Sequence, residues 1–322
     1  VKIFVFLLTF INFNLFSKPA SLIEKKIMIC GVCKNVASSL KNTIENIELL
    51  GSCFADYAVV IYENNSTDET NVILKEFAKE NKRVVFISDV IPQENLMPSR
   101  TERIAKSRNF VLSLIQQQEY EGFEFVVMLD LDFSTPWPID EICKTIQTEG
   151  DWDAVFANGL HADGSYYDRY AYRGGDYPLG PELIGMPWWD QVNLGERIYL
   201  NAYHSWVPCY SAFGGLGIYR RKSLLNVSYS GLVTEDLRGY YTEIVKNLSL
   251  NENHLKLYFQ LNGEREIFNL KNPSLKFVRN TIWESPWDYT EITCCEHVPL
   301  HASMALKGHG KFYINPRMIM QY

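Results

Sequence analysis

The chain has 322 residues, 47% hydrophobic and 21% charged, with a formal net charge of −7. That balance belongs to a globular protein with a sizeable core and excludes intrinsic disorder, and the acidic surplus argues against nucleic acid as a partner, because phosphate binding needs a basic face. Aromatic residues make up 14% and crowd the middle and later parts, where flat rings either pack a core or stack on sugars.

Residues 1–21, VKIFVFLLTFINFNLFSKPAS, carry one early lysine and an apolar run from Ile3 to Phe16 broken by Asn12 and Asn14. The run is short for a membrane span and predicts a signal peptide or short anchor, with membrane association and a place in the secretory pathway; a cytoplasmic face is the alternative. Residues 22–322 are expected to form one domain. KIMICGV reads as a first strand. SSLKNTIENIELLGSCF places Leu40, Ile44, Ile47 and Leu50 at helical spacing, with Gly51 as a cap. YAVVIYENNSTDET is a strand stopping at a polar turn, and DETNVILKEFAKEN a helix whose start is rich in capping groups. RVVFISD is a third strand. SRTERIAKSRNFVLSLIQQQ is a long helix with Ile104, Phe110, Val111 and Leu114 expected toward the core. FEFVVMLDLD is a fourth strand, IDEICKTIQTE a helix and WDAVFANGL a fifth strand.

This alternation predicts an α/β fold with a mixed, mostly parallel sheet flanked by helices, and in such sheets ligands bind beyond the carboxyl ends of the strands. The polar strand ends Lys34–Asn35, Glu63–Asn64–Asn65 and Asp130–Asp132 would then face one crevice. After Leu160 the regularity breaks into long Gly-, Pro-, Tyr- and Trp-rich loops, in which Trp188, Trp189 and the stretch Tyr166–Tyr177 form either an acceptor wall or a packed loop. Further on, YSAFGGLGIYRRKSL reads as a glycine turn, a short strand and a helix start. Asn262–Gly263 suggests a hairpin. The end gives a last helix and a last strand.

Seven cysteines, an odd number without zinc spacing, do not make a disulfide framework. Cys30 and Cys33 form C-x-x-C across the first strand and its following loop, whereas a redox motif normally opens a helix after a strand.

The spacing in LDLDF does not decide by itself, because a strand that simply stops at a polar turn also explains it. Two carboxylates closing an apolar strand suit a hard divalent cation, Mn²⁺ or Mg²⁺, which takes oxygen ligands and keeps room for substrate phosphates. The turn Glu63–Asn64–Asn65–Ser66–Thr67–Asp68 offers short polar side chains and a helix N-terminus to a nucleoside and its phosphates, although taken alone a plain helix cap explains it better.

Taken in order, YENNSTDET, AKSRN, VVMLDLD and FGGLGIYRRKSL resemble the nucleotide-binding turn, Ala-Arg-Asn element, D-x-D strand and glycine-rich acceptor loop of family-2-type glycosyltransferases of the GT-A, Rossmann-like fold. More narrowly, RTERIAKSRN, LDLDF, SAFGGLGIYR, CEHVPLH and KFYINPRM are similar to the fungal capsule-type α-1,3-mannosyltransferase family; residues 232–293 fall outside the likeness. The resemblance implies a metal-dependent transfer of a hexose, mannose in that family, from a nucleotide-sugar donor to a glycan or lipid-linked acceptor. It implies a metal at Asp132 with Asp130 as ligand or ribose holder, and His297 as a further ligand, with His301 one turn later as a rival. Glu63, Asn64, Asn65, Asp68, Arg108, Asp130, Gly214 and Gly215 would hold the donor, and Arg108 is otherwise a surface helix charge. Two carboxylates compete for the catalytic role. Asp236, in the Glu-Asp pair that follows the glycine loop in inverting family-2-type enzymes, implies inversion; Glu296 fits the capsule-type pattern and retention. A nucleotidyltransferase would show a Gly-rich, basic first loop, and GVCKNVASSL offers only Gly31 and Lys34. An inactive carbohydrate-binding relative would be expected to lose one of the two carboxylates, and both are here.

Overall fold

The computed structural model describes residues 23–95, 97, 99–175, 177–184, 197–247, 275, 277 and 292–322. The expected N-terminal leader or anchor, Trp188, Trp189 and the hairpin at Asn262–Gly263 lie outside the described residues. No described helix is long and apolar enough to cross a membrane.

Runs of β-branched and aromatic residues form the strands, because such side chains fit a pleated, buried surface. They are β1 (Ile23–Cys33), β2 (Phe54–Asn64), β3 (Val84–Asp89), β4 (Phe125–Asp130), β5 (Ala154–Leu160), β6 (Val207–Cys209), β7 (Leu216–Arg220) and β8 (Phe312–Gln321). They make one sheet in the order β3-β2-β1-β4-β7-β5-β8-β6. β1, β2, β3 and β4 run parallel, as do β5 and β8; β7 is antiparallel to β4 and β5, and β6 to β8. This is the expected mixed, mostly parallel sheet. Because β1, β2 and β4 are mutually parallel, their polar C-terminal ends share one edge.

The helices are α1 (Ala37–Gly51), α2 (Thr70–Glu80), α3 (Arg100–Ile115), α4 (Ile139–Gln147), the single turn α5 (Pro181–Ile184), α6 (Glu235–Lys246) and α7 (His297–Leu306). Strand residues alternate between two cores. Ile27, Ile29, Val127 and Leu129 pack with Leu40, Leu74 and Ile142 of α1, α2 and α4. Met28, Cys30, Val126 and Met128 pack with Val111, Tyr241 and Leu300 of α3, α6 and α7. Each such aliphatic side chain contributes about 1.5–3 kcal/mol when fully buried.

Three expectations need correction. The inner face of α3 is Thr101, Ala105, Ser107, Arg108, Val111, Leu112 and Ile115; Val111 is a core residue and half-buried Leu114 packs against that core, as expected, whereas Phe110 is exposed and Ile104 only half-buried. The aliphatic residues alone suggested a different stripe, but the helix turns two polar residues inward toward the site. Gly51 is the last helical residue and not a cap beyond the end, placed so that a Cβ would meet the Tyr57 ring at 2.7 Å. Helix α6 and the short β6 were not read as elements. No disulfide joins any of the seven cysteines, all of which lie among the described residues.

Candidate active site

The D-x-D segment leaves β4 under control from both sides. Its entry is held by the Asp130 N–H, which donates to the Gly215 carbonyl at 3.0 Å. Its exit is held by α1, whose polar stripe lies one turn apart on one side. The Ser39 and Thr43 hydroxyls donate to the Leu131 carbonyl at 2.9 and 3.2 Å, and Asn42 Nδ2 donates to the Ser134 carbonyl at 2.8 Å. Asn46 Oδ1 accepts from the Trp137 N–H at 3.1 Å. Leu131 and Phe133 point into the core, which turns Asp132 outward. Partial dehydration, with the neighbouring Asp130 charge, raises the Asp132 carboxyl to about 6, while Arg108 and Arg100 act the other way. A carboxylate raised by a like charge beside it is relieved by a cation placed between the two. Asp130 and Asp132, with donor phosphate oxygens, are therefore a fitting donor set for Mn²⁺ or Mg²⁺. Among the described residues no three His, Cys, Asp or Glu side chains stand together as a metal-binding group, so His297 is not gathered with the pair.

Behind Asp130 lies a buried ion cluster. Arg108 Nη2 donates to Asp130 Oδ1 at 2.8 Å and Nε to Glu296 Oε1 at 3.2 Å. The guanidinium lies over the rings of Phe213 and Tyr229, at 4.9 and 5.9 Å. Its side chain is only 3% exposed, so the surface-charge reading is set aside. His297 stacks on Phe213 with ring centroids 3.9 Å apart, and its Nε2 lies 3.6 Å from Glu296 Oε1. Burial, then Arg108, push its basicity well down, which keeps it neutral. Arg108 Nη1, Tyr229 Oη and both His297 ring nitrogens lack hydrogen-bond partners among the described residues. His301 differs: Nδ1 pairs with Ser211 Oγ at 2.8 Å and Nε2 with Tyr219 Oη at 3.0 Å, so it is a satisfied core histidine. Asp236 stands exposed in the first turn of α6, behind the Thr234 cap.

The polar turn after β2 is a built latch. Asn35 and Val36 N–H groups donate to Ser66 Oγ and Thr70 Oγ1, and the Ala37 N–H to Asp68 Oδ2. The same Asp68 accepts from the Thr70 N–H at 3.0 Å, so it serves the starts of α1 and α2 together, and the Thr70 hydroxyl first, then the Thr70 and Ala37 N–H groups, lower its pKa. Asn65, at φ 55°, exchanges two hydrogen bonds with the Ile91 backbone. Asn64 Nδ2 donates to Ser107 Oγ at 2.9 Å. Glu63 accepts from the Ser66 N–H, the Ser88 hydroxyl and Asn71 Nδ2; burial pushes its carboxyl up, but these donors outweigh it and leave it below the usual range. The latch joins the carboxyl ends of β1 and β2 beside that of β4.

A profile described as Cryptococcal mannosyltransferase 1 matches residues 27–251, more than half of the chain. The chain belongs to that mannosyltransferase family. It is therefore a glycosyltransferase, and the matched segment holds Arg108, Asp130, Asp132, Gly214, Gly215 and Asp236, whereas Glu296 and His297 lie beyond it. Curated proteins return no match. Solved structures with a similar trace include S. aureus TarS residues 1–349, at 13% identity and TM-score 0.40, covering 74% of this chain and 73% of that one. Another is the mannosyltransferase PcManGT from Pyrobaculum calidifontis in complex with GDP-Man and Mn²⁺, at 14% identity and TM-score 0.38, covering 72% and 56%. A third is M. tuberculosis glucosyl-3-phosphoglycerate synthase with Mn²⁺, UDP and glucosyl-3-phosphoglycerate, at 14% identity and TM-score 0.34, covering 62% and 58%.

Sequence reasoning about this mannosyltransferase-family chain missed two residues. Arg100, exposed at the start of α3, is near enough to Asp132 to lower its pKa. Asp168, in the loop after β5, accepts from the Gly214 N–H at 3.0 Å and the Ala171 N–H at 3.4 Å. Burial raises its carboxyl to about 7, the Gly214 N–H opposes this, and the Asp130 and Glu296 charges add to it. In the Tyr-rich stretch, Tyr166 and Tyr172 are core residues, whereas Tyr167 stacks on the exposed Tyr322 at 4.4 Å.

Proposed function

We propose that this chain transfers a hexose, mannose by its family, from a nucleotide-sugar donor to a glycan or lipid-linked acceptor, with Mn²⁺ or Mg²⁺ as cofactor. The observation that carries the reading is the Asp130–Asp132 pair, held by Gly215 and α1 at the carboxyl end of central β4 with one carboxyl raised to about 6. A divalent ion at the pair would supply positive charge to the diphosphate as the sugar departs. The chain's own residues do the rest. Arg108 draws one Asp130 oxygen back and orients the carboxylate, so that Asp132 is the outward ligand. Arg100 adds a cation on the open side, and the β1–β2 latch offers the N-terminal ends of α1 and α2 to the nucleotide.

Glu296 is the carboxylate we assign to the sugar-transfer end, because Arg108 ties it to the same cluster as Asp130, while Asp236 faces solvent at the start of α6. This favours retention of the anomeric configuration. His297, neutral and stacked on Phe213, is then a wall of that cluster and not a third metal ligand. We assign residues 1–21 to a leader or anchor on their apolar composition, with transfer in the secretory pathway; N-terminal sequencing of the mature protein checks the assignment.

The deciding experiment is Asp132→Asn. Transfer should fall by about 10²-fold or more, as for loss of one group stabilising developing charge, with unchanged circular dichroism, and chelation should silence the native enzyme. Full activity of the variant, or turnover indifferent to chelator, overturns the metal-dependent reading. The product anomer, read by NMR beside Glu296→Ala and Asp236→Ala, separates the two carboxylates: inversion with an inactive Asp236→Ala enzyme overturns Glu296.

A further inference from the structure

Asp168 is a carboxylate that the mechanism above does not use. It is half-buried in the loop after β5. Its Oδ2 accepts from the Gly214 N–H at 3.0 Å and its Oδ1, more loosely, from the Ala171 N–H at 3.4 Å. An ionised carboxylate has about four acceptor positions, so these two donors leave half of them open. The strongest charges acting on it are Asp130 and Glu296, both of its own sign. A partly dehydrated acceptor with no ion-pair partner among the described residues is costly unless something donates to it.

The position is also built. Gly214 and Gly215 both have positive φ, and a Cβ on Gly214 would stand 2.2 Å from the Ala157 carbonyl. Asp168 holds the first of these glycines by its N–H, and the carbonyl of the second receives the Asp130 N–H. One short turn thus spaces Asp168 from the D-x-D strand end. A diphosphate would be repelled by a third carboxylate and is served by Asp132 and Arg100. Neutral O–H donors suit the open acceptor positions of Asp168.

The geometry points to Asp168 as a sugar-binding residue that accepts hydrogen bonds from hydroxyls of the transferred hexose while its other oxygen holds the Gly214 turn. This rests on the glycosyltransferase reading given above.

The test compares binding of GDP with GDP-mannose, and of UDP with UDP-glucose, to the native chain and to Asp168→Asn, all with Mn²⁺ and at about pH 8, where a carboxyl of about 7 is mostly ionised. Asparagine keeps a carbonyl oxygen for the Gly214 N–H but loses the charged acceptor. Charge-assisted hydrogen bonds are roughly twice as strong as neutral ones, so the sugar nucleotide should bind about tenfold more weakly to the variant while the nucleoside diphosphate keeps its affinity. A structural role would weaken both alike. Equal losses, a raised Mn²⁺ requirement with weaker GDP binding, or no loss at all overturns the inference. Should Asp168→Asn fail to fold, deoxyhexose nucleotides on the native chain carry the test: one deoxy position should lose about tenfold, by the same loss of a charge-assisted bond, and uniform binding of all of them overturns it. If the native chain binds neither nucleoside diphosphates nor sugar nucleotides, the functional reading fails and the inference with it, an outcome distinct from native binding without an Asp168 effect.

Discussion

Arg108 shows what a single buried cation does here. Its guanidinium joins α3 to β4 through Asp130 and to the start of α7 through Glu296, with a side chain only 3% exposed. Removing one partner of such a cluster leaves carboxylates dehydrated and uncompensated, which costs about 3–5 kcal/mol. Arg108→Met should therefore lower the urea midpoint by a corresponding amount. The double variant Arg108→Met with Glu296→Gln should recover part of it, because the two residues share one interaction. Equal stability of native and single variant would contradict the cluster as described. Asp168 gives a prediction of opposite character. Its folded-state carboxyl, at about 7, lies above the ordinary aspartate value, so folding favours the protonated form. Its contribution to stability is full below the unfolded pKa, about 3.9, and is lost as pH rises through about 7. Melting of the native chain, compared with Asp168→Asn, should move in the variant's favour between about pH 4 and pH 7 and then level off. A difference constant over that range would show that the carboxylate is not destabilised by folding. Neither environment could be read from spacing. D-x-D and Ala-Lys-Ser-Arg-Asn were legible as local strings, but Asp168 owes its raised carboxyl to burial, and the Gly214 N–H that it accepts from lies 46 residues away. His297 and His301 share a helical face, and only Ser211 and Tyr219 separate their roles.

Among the elements, those with one apolar stripe were the easiest to anticipate, and the exceptions lie at the site. Helix α1 buries Leu40, Ile47 and Leu50 as its period requires, while Ser39, Asn42, Thr43 and Asn46 form a second stripe devoted to the segment after Asp130. Helix α3 turns Arg108 and Ser107 inward and leaves Phe110 on the surface, against the aliphatic pattern, because ionic and hydrogen-bond partners on β4, α7 and the β2 turn make polar burial favourable. The Gly214–Gly215 turn feeding β7 was legible as glycine, but its partner was not. Gly214→Ala should cost about 1–3 kcal/mol, from left-handed backbone strain and the contact with the Ala157 carbonyl. It should also reduce transfer more than the loss of folded protein explains, because the turn carries both the Asp130 N–H bond and the Asp168 contact. Normalising activity to the folded fraction checks this; strict proportionality would reduce the turn to a structural one.

For the whole molecule, the repeated strand–helix pattern predicts the parallel half of the sheet, because each crossover there is local. The other half joins distant segments. β7 is inserted antiparallel between β4 and β5, and β8 returns from the end of the sequence to pair with β5. No local period announces pairings of that separation. Their consequence is that β4 lies mid-sheet with the glycine turn on one side and the β1–β2 latch on the other, so a donor and metal at this edge would contact segments from both halves of the sheet. Ligand binding should then stabilise the entire fold by mass action, by about 2.7 kcal/mol at a hundredfold excess over Kd. For a chain of this size that is a rise in melting temperature of roughly 5 °C, at about 2 °C per kcal/mol. The expected pattern is a rise with GDP or UDP plus Mn²⁺, little with either nucleotide and chelator, and little in Asp132→Asn with Mn²⁺. A rise that survives chelation and the substitution would move the nucleotide to the latch alone, away from the carboxylate pair. The absence of any rise with both nucleotides in the native chain would remove the nucleotide from the crevice altogether.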